Sequence, residues 1–344
     1  MHKKRLARTI VFTMLLLVAV AEVFLYFHES ENVAYIGSVP ICKREFDLVL
    51  DSSKAKIISM FDSKHANTFD KNFWQTHVEG QTPADALFED ALQTCVRNKT
   101  IEILAREYNI INDCSYNGVL KALSKENRIR KQKLAANEVV YGPNQYDEKS
   151  YYNYYILSIG KEIQRIMQKN AAEDDIKACK EYYEQIKDQY YKKVDKLVLI
   201  VIEFPAGHEY QSVERYYNKL RTSASLNISL TNELKKSDIN YRSITIDEDS
   251  VRYFSLNSPE ILKNALELSQ NSLSDIIVSG GKYCILYCVD RESGGYNDFE
   301  SVSDVVKVNF YEQKFDELVR QRINMQKLRT TQLYDSLKKN YKGG

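Results

Sequence analysis

The stretch from Ser258 to Gly295, SPEILKNALELSQNSLSDIIVSGGKYCILYCVDRESGG, limits the fold more than any other part of the chain. Ser258 suits a helix N-cap, and Pro259 suits the first helical position, where a missing N–H costs nothing. Ile261, Leu262, Ala265, Leu266 and Leu268 then mark one apolar helix face. Asp275 to Val278 is a short apolar run, Ser279-Gly280-Gly281 supplies turn residues, and Tyr283 to Val289 is a second strand, so the spacing predicts a helix feeding a tight antiparallel hairpin. The second strand is apolar on both faces, with Tyr283, Ile285, Tyr287 and Val289 on one side and Cys284, Leu286 and Cys288 on the other, which places it inside a sheet rather than at an edge.

These residues resemble the end of a parvulin-type prolyl isomerase domain, whose pattern is a proline-led helix, a G-x-I-S turn and an F-G-Y-H-I-I strand. Leu273-Ser274 align with the turn and Tyr283-Cys284-Ile285-Leu286 with Y-H-I-I. The pocket positions are changed: the family histidine falls on Cys284, the pocket phenylalanine on Leu266 and the pocket methionine on Asn257. The first strand, Val198-Leu199-Ile200-Val201, also lacks the family's histidine, and His208 comes several residues too late to replace it. The resemblance implies a parvulin fold with a rewritten pocket.

With 344 residues, the chain has room for two domains or one elongated one. It has 48 basic and 47 acidic residues, a formal charge of +1 and no basic stripe interleaved with base-stacking aromatics, which gives no basis for a nucleic-acid partner. The six cysteines show neither C-x-x-C nor zinc spacing. Cys284 and Cys288 lie four apart on one strand, roughly 13 Å at strand rise, too far to bridge. At the N-terminus, His2-Lys3-Lys4-Arg5 and Arg8 precede an apolar run from Ile10 to Phe27, interrupted only by Thr13 and Glu22. About 20 apolar residues span a bilayer, so residues 1–28 read as a signal anchor with its basic flank in the cytoplasm and the body outside. The competing reading is a cleaved signal ending at Ala19-Val20-Ala21, which would leave the protein secreted.

Val33 to Phe46 reads as a short strand, a Gly-Ser turn and a helix start. It resembles the opening of the SurA and PrsA folding factors, with Gly37, Ile41, Glu45 and Phe46 in place. After Phe73-Trp74, Thr82 and Asp85 form a capping box around Pro83. Ala84, Leu87, Phe88, Ala91, Leu92 and Cys95 recur at three and four, as in an amphipathic helix. Leu104 to Ile110 resembles the L-A-x-x-x-G-I that closes that helix in the family, with Asn109 where glycine is usual. Residues 117–140 predict a helix carrying Lys121, Lys125, Arg128, Arg130, Lys131 and Lys133. Such a run is a solvated face, or a surface for acidic substrates or anionic headgroups. Ile176, Cys179, Tyr183, Ile186 and Tyr190 have helix-seam spacing. Asp195 to Pro205 switches to a solid apolar strand, and Phe299 to Lys339 carries one long amphipathic pattern.

The expected fold is α+β. Residues 33–194 form a SurA-N-like helical chaperone domain, 195–293 an inserted parvulin-like small antiparallel sheet flanked by helices, and 297–340 a C-terminal helix that returns to the helical domain. The 25 tyrosines read either as core and boundary residues or as a cradle for unfolded chain. No cofactor or metal motif is present. His65 and His77 read as surface residues, and Asp247, Glu248 and Asp249 as a solvated acidic turn, with cation binding the alternative. Asn98-Lys99-Thr100 and Asn227-Ile228-Ser229 match the glycosylation pattern. The resemblance implies a membrane-anchored extracytoplasmic foldase or chaperone binding newly exported, unfolded polypeptides, with Trp74, Tyr151, Tyr155, Leu266 and Tyr283 as substrate contacts and a homodimer admitted. The alternatives are an active peptidyl-prolyl isomerase and an envelope adaptor dedicated to one partner.

Overall fold

The computed structural model describes residues 31–62, 72–205, 207–225, 234 and 239–342. The apolar segment Ile10–Phe27, His65 and Asn227-Ile228-Ser229 lie outside them. Among the described residues no helix is long and apolar enough to cross a membrane. The chain divides into two units, one of residues 1–172 and 308–344 and the other of residues 173–307.

The first unit opens with a hairpin. Strand β1 (Asn32–Ile36) turns through Gly37, at φ +57°, into β2 (Val39–Cys42). The sequence pattern had predicted one strand here; β2 is four residues long with Pro40 in it, which is tolerated because β2 is an edge strand. Helix α1 (Lys43–Asp62) follows, then α2 (Pro83–Glu107), α3 (Tyr116–Ala135) and α4 (Glu148–Lys169). The punctuation of α2 is as its sequence predicts. The Thr82 hydroxyl accepts from the Asp85 N–H at 3.1 Å, and Pro83 starts the helix. Asn109 takes φ +58° just past the end, where the Ile110 N–H donates to the Ala105 carbonyl at 2.8 Å.

The long pattern from Phe299 breaks in three. Helix α9 (Phe299–Met325) ends before β7 (Leu328–Thr330), and α10 (Gln332–Asn340) completes the unit. (The intervening four helices of the described residues, within residues 173–267, belong to the second unit and are numbered below.) Strand β7 pairs antiparallel with β1, Tyr35 opposite Arg329, giving the sheet order β2-β1-β7. The core gathers Phe46, Leu87, Phe88, Leu104 and Ile163 with Phe315 and Val319 of α9 and Tyr334 of α10. Tyr334 stacks edge-on against Phe46 at 5.7 Å and Phe88 at 5.8 Å.

An ion cluster lies inside this apolar core. Lys99 of α2 is fully buried, as are Glu45 of α1 and Glu102 of α2. Lys99 Nζ is 3.0 Å from Glu45 Oε1 and 2.5 Å from Glu102 Oε2, and it donates to the Cys114 carbonyl at 2.9 Å. Tyr152 of α4 donates its hydroxyl to Glu45 Oε1 at 2.8 Å. Burial by itself would push the Lys99 ammonium down, but the two carboxylates override it and hold the group above its ordinary value. Burial pushes the Glu102 carboxyl up to about 8, against the pull of Lys99 and with the help of the nearby Glu45 charge. One ammonium cannot fully offset two ionised carboxylates in a dry site, so the cluster holds a carboxyl proton to higher pH than an exposed carboxyl does.

In the second unit, α5 (Glu173–Tyr190) precedes β3 (Lys196–Phe204), α6 (Tyr210–Ser225), β4 (Asn240–Ile246), α7 (Val251–Asn257), α8 (Pro259–Glu267), β5 (Ile277–Ser279) and β6 (Lys282–Glu292). The seam expected along α5 is buried only at its middle, at Cys179 and Tyr183, while Ile176 and Tyr190 are exposed. The sheet is antiparallel with order β4-β3-β6-β5. Gly280 and Gly281, at φ +58° and +74°, make the two-residue turn joining β5 to β6. Strand β6 is internal, and its faces divide as the alternation predicts. Cys284, Leu286 and Cys288 pack with Phe254, Ile261 and Ala265, and Ile285 packs with Val213 and Leu220 on the other side. Ser258 does not use its hydroxyl as a cap, because it sits at the joint between α7 and α8 and its N–H closes α7 onto the Phe254 carbonyl at 2.9 Å. The entry and exit strands of the unit run side by side. Lys192 bridges to Tyr296, and Arg291 pairs with Asp195 at 2.7 Å. Gly294 fits there because a Cβ would lie 2.3 Å from the Val194 carbonyl oxygen.

Two outcomes follow from the ion cluster. Lys99→Met strands Glu45 without its cation and is expected to cost about 3–5 kcal/mol. Adding Glu45→Gln should recover part of it, and equal melting temperatures for Lys99→Met and the parent would refute the cluster's role. Glu102 binds a proton in the folded state up to about pH 8 but in the unfolded state only up to the ordinary carboxyl range. Folding stability contributed at this site is therefore intact at acid pH and falls as pH rises through that window. Glu102→Gln should raise the melting temperature progressively between pH 5 and pH 8.5 (about that range); a difference independent of pH would count against it.

Candidate functional site

The three positions aligned with the isomerase pocket do not form one. Cys284 is 2% exposed on the face of β6 covered by α7 and α8, beneath Ile261 and Ala265. Its thiol reaches the Lys282 carbonyl at 3.9 Å and lies beside the Ser279 backbone, and burial pushes its pKa up. A neutral, enclosed thiol neither orients a prolyl peptide nor attacks one. Asn257 spends its amide on the Tyr253 carbonyl of its own helix, at 2.9 Å. Leu266 is half-exposed on α8, where its carbonyl accepts from Arg291 at 3.2 Å. Side chains of the unit's own helices, Phe254, Ile261 and Ala265, fill the space beside the central strands.

The aromatic residues expected to meet substrate divide by burial. Tyr151 is 6% exposed and Tyr155 is buried beside it in the core, their ring centroids 6.0 Å apart. Both are packing residues, because the face of α4 that carries them turns inward. Trp74 is half-buried and stacks edge-on against Phe73 at 5.0 Å and Tyr341 at 5.4 Å. Tyr283 stacks edge-on against Tyr210 at 5.8 Å. Asn98 of the first glycosylation match faces Tyr152 at 3.4 Å within α2, and the Thr100 hydroxyl donates to the Val96 carbonyl, so that site is occupied by packing. The Asp247 carboxylate accepts from the Ser250 N–H and hydroxyl in a local turn. Among the described residues no group of His, Cys, Asp and Glu is placed to hold a metal ion. All six cysteines are free.

The concave feature that stands out belongs to the first unit. A cleft of about 620 Å³ runs between α2, α4 and α9. Ile101, Ile156, Tyr311 and Phe315 supply its apolar wall and floor, while Leu157, 66% exposed, and Val308 stand at its rim. Gly160 sets the depth, since a Cβ there would come within 3.4 Å of the Phe315 ring. Arg97 pairs with Asp316 at 2.7 Å between α2 and α9, and Asn98, Gln164 and Gln168 add amides that both donate and accept. An apolar floor with amide and charged edges suits an apolar side chain carried on an extended backbone. In sequence the only trace of this cleft is the spacing of Ile156 with Gly160 and of Val308, Tyr311 and Phe315. It reads as ordinary helix packing until α9 is known to lie beside α4.

No protein-family model matches the chain. No curated protein matches it either. Solved structures do overlap it along most of their length. A SurA-like chaperone of Campylobacter jejuni matches at 12% identity over 88% of this chain and 99% of its own, with a TM-score of 0.30. The foldase protein PrsA of Streptococcus pneumoniae matches at 14% identity over 76% and 97%, with a TM-score of 0.22. The peptidylprolyl isomerase PrsA of Bacillus cereus matches at 12% identity over 90% and 98%, with a TM-score of 0.24. Overlaps this loose and identities this low say nothing by themselves about activity.

Proposed function

We propose that this chain is an extracytoplasmic chaperone that holds unfolded, newly exported polypeptide in the cleft between α2, α4 and α9. The N-terminal apolar segment tethers it to the membrane. The observation that carries this reading is the cleft itself. It has apolar residues left at the rim, an apolar floor and edges able to hydrogen-bond a backbone of any sequence. Large apolar side chains held in solvent beside a groove mark a binding surface. Mixed charge and amides give tolerance rather than selectivity, which suits many clients better than one.

The second unit is read as a scaffold. Its enclosed Cys284 and self-satisfied Asn257 are not placed to hold a prolyl ring or to stabilise a rotating amide, whose barrier is about 18–20 kcal/mol for peptide bonds generally. The proposed division of labour places client binding in the first unit, residues 1–172 and 308–344, where the cleft lies, and leaves the second unit, residues 173–307, as the scaffold.

The test uses the full chain in a mild detergent. It should suppress aggregation of an unrelated reduced, unfolded protein and leave the cis-to-trans rate of a prolyl peptide at background. Leu157→Glu with Val308→Glu should weaken suppression roughly fivefold or more, the effect of losing about 1 kcal/mol of contact, with an unchanged melting temperature because both side chains are exposed. Isomerisation well above background would restore the enzyme reading. Absence of suppression, with capture of a single envelope protein, would favour the adaptor.

A further inference from the structure

Helix α3 carries features that the cleft does not use. Tyr116, Val119 and Arg130 face inward. Lys121, Lys125 and Arg128 recur at i, i+4 and i+7 on the opposite, solvent face, with Lys131 beside them. All four are exposed, and none forms an ion pair within 4 Å among the described residues, although Lys121 lies close enough to Asp113 to help lower its pKa. The acids nearby are already engaged or at the edge: Glu126 is paired with Arg130 at 2.8 Å, Asp113 accepts from the Ser115 N–H, and Glu138 is exposed beyond the helix.

At its C-terminal end the helix runs into a built tip. Asn137, at φ +58°, ends it, with the Glu138 N–H donating to the Lys133 carbonyl at 2.9 Å. The largely buried Arg130 guanidinium reaches out from the helix and donates to the Tyr141 carbonyl at 3.0 Å and the Pro143 carbonyl at 2.7 Å. It also lies 4.4 Å over the Tyr146 ring. The loop is thereby fixed, and it holds Val139 at 73% exposure and Tyr141 at 86%, with Leu134 exposed beside them. A loop braced this firmly, yet presenting apolar side chains to water, is shaped for something that covers them.

The opposite end of α3 lies next to the entry of the chain. The Lys43 N–H donates to the Glu31 carbonyl at 2.9 Å. The neighbouring Arg44 donates to Glu148 at 2.8 Å, and Glu148 accepts from the hydroxyl of Tyr116, the first residue of α3. Only His28, Glu29 and Ser30 separate Glu31 from the last residue of the apolar run, Phe27, a reach of about 14 Å. Helix α3 is about 30 Å long at helical rise.

We infer that α3 lies along the bilayer surface, its basic stripe on anionic lipid headgroups and its Val139–Tyr141 tip in the interface. This rests on the proposed tether, which holds one end of α3 at headgroup level; the tip anchors the other. Basic residues with a flanking aromatic and aliphatic tip match an anionic interface in both charge and polarity.

The full chain, reconstituted into nanodiscs of phosphatidylcholine alone or mixed with phosphatidylglycerol, tests this by amide hydrogen exchange over residues 134–145. Exchange should slow on the order of tenfold in the anionic discs only. The protection should vanish at ~1 M salt, where the Debye length is ~3 Å. The Lys121→Glu, Lys125→Glu, Arg128→Glu variant should exchange at the phosphatidylcholine rate in both. As a check independent of that variant's folding, Val139→Trp should show a blue-shifted emission in anionic discs over the constant Trp74 background. A chain that leaves both kinds of disc overturns the tether and the docking together. A chain that stays in both and exchanges equally overturns the docking alone. Protection by polyglutamate in phosphatidylcholine discs would then assign the face to acidic polypeptide.

Discussion

Everything in the first unit is arranged around a lysine that has no access to water. Lys99 Nζ meets a carboxyl group from α1, a carboxyl group from its own helix and a carbonyl from the segment leading into α3, while Tyr152 of α4 holds the first carboxyl group in place. Each member is tolerable inside an apolar core only because the others are present. Hydrophobic contacts would let these helices slide by a turn at modest cost, but a buried charge cluster has one arrangement in which its partners meet. It therefore fixes the register of α1, α2 and α4. That register in turn sets where Ile156 and Gly160 stand relative to Ile101 on the wall of the cleft, and where Glu148 receives Arg44 and Tyr116.

Much of the frame was legible in the chain. Helix α2 could be bounded at both ends from Thr82, Pro83, Asp85 and Asn109, because caps are local chemistry. The β5–β6 hairpin followed from Gly280-Gly281, and the placement of β6 inside a sheet from apolar residues on both of its faces. Strand β7 was not legible. Leu-Arg-Thr has no alternation to read, and it is a strand only because β1 offers an edge nearly 300 residues earlier (the span from Tyr35 to Arg329). Nor was the ion cluster, since Lys99 in a helical run looks like any solvated lysine until Glu45 is known to face it. Tyr151 and Tyr155 misled for a related reason: tyrosine serves interior and interface equally, and only packing decides.

In the second unit the frame and the positions that the sequence aligned with a pocket answer to different physical demands. The hairpin, the internal strands and the proline-led helix are all retained, because these are what the apolar faces of β3 and β6 require. Pocket residues carry no such structural debt. With Cys284 at the centre of the sheet, Phe254, Ile261 and Ala265 of the helices above it close directly onto the strand, and that closure is stable because it buries apolar surface.

The pairing of β7 with β1 also sets an order of events. The central strand of the first sheet is made within the first 36 residues, but one of its two edges stays open until residues 328–330 exist beside it. The second unit, whose ends are joined by their own bridge and ion pair, has every partner it needs by residue 307. In a chain delivered from its N-terminus, the inserted unit can mature while the unit around it is still waiting to close. Until then the protein has an exposed strand edge and an unfinished core, and is for that interval a client of the kind it is proposed to hold.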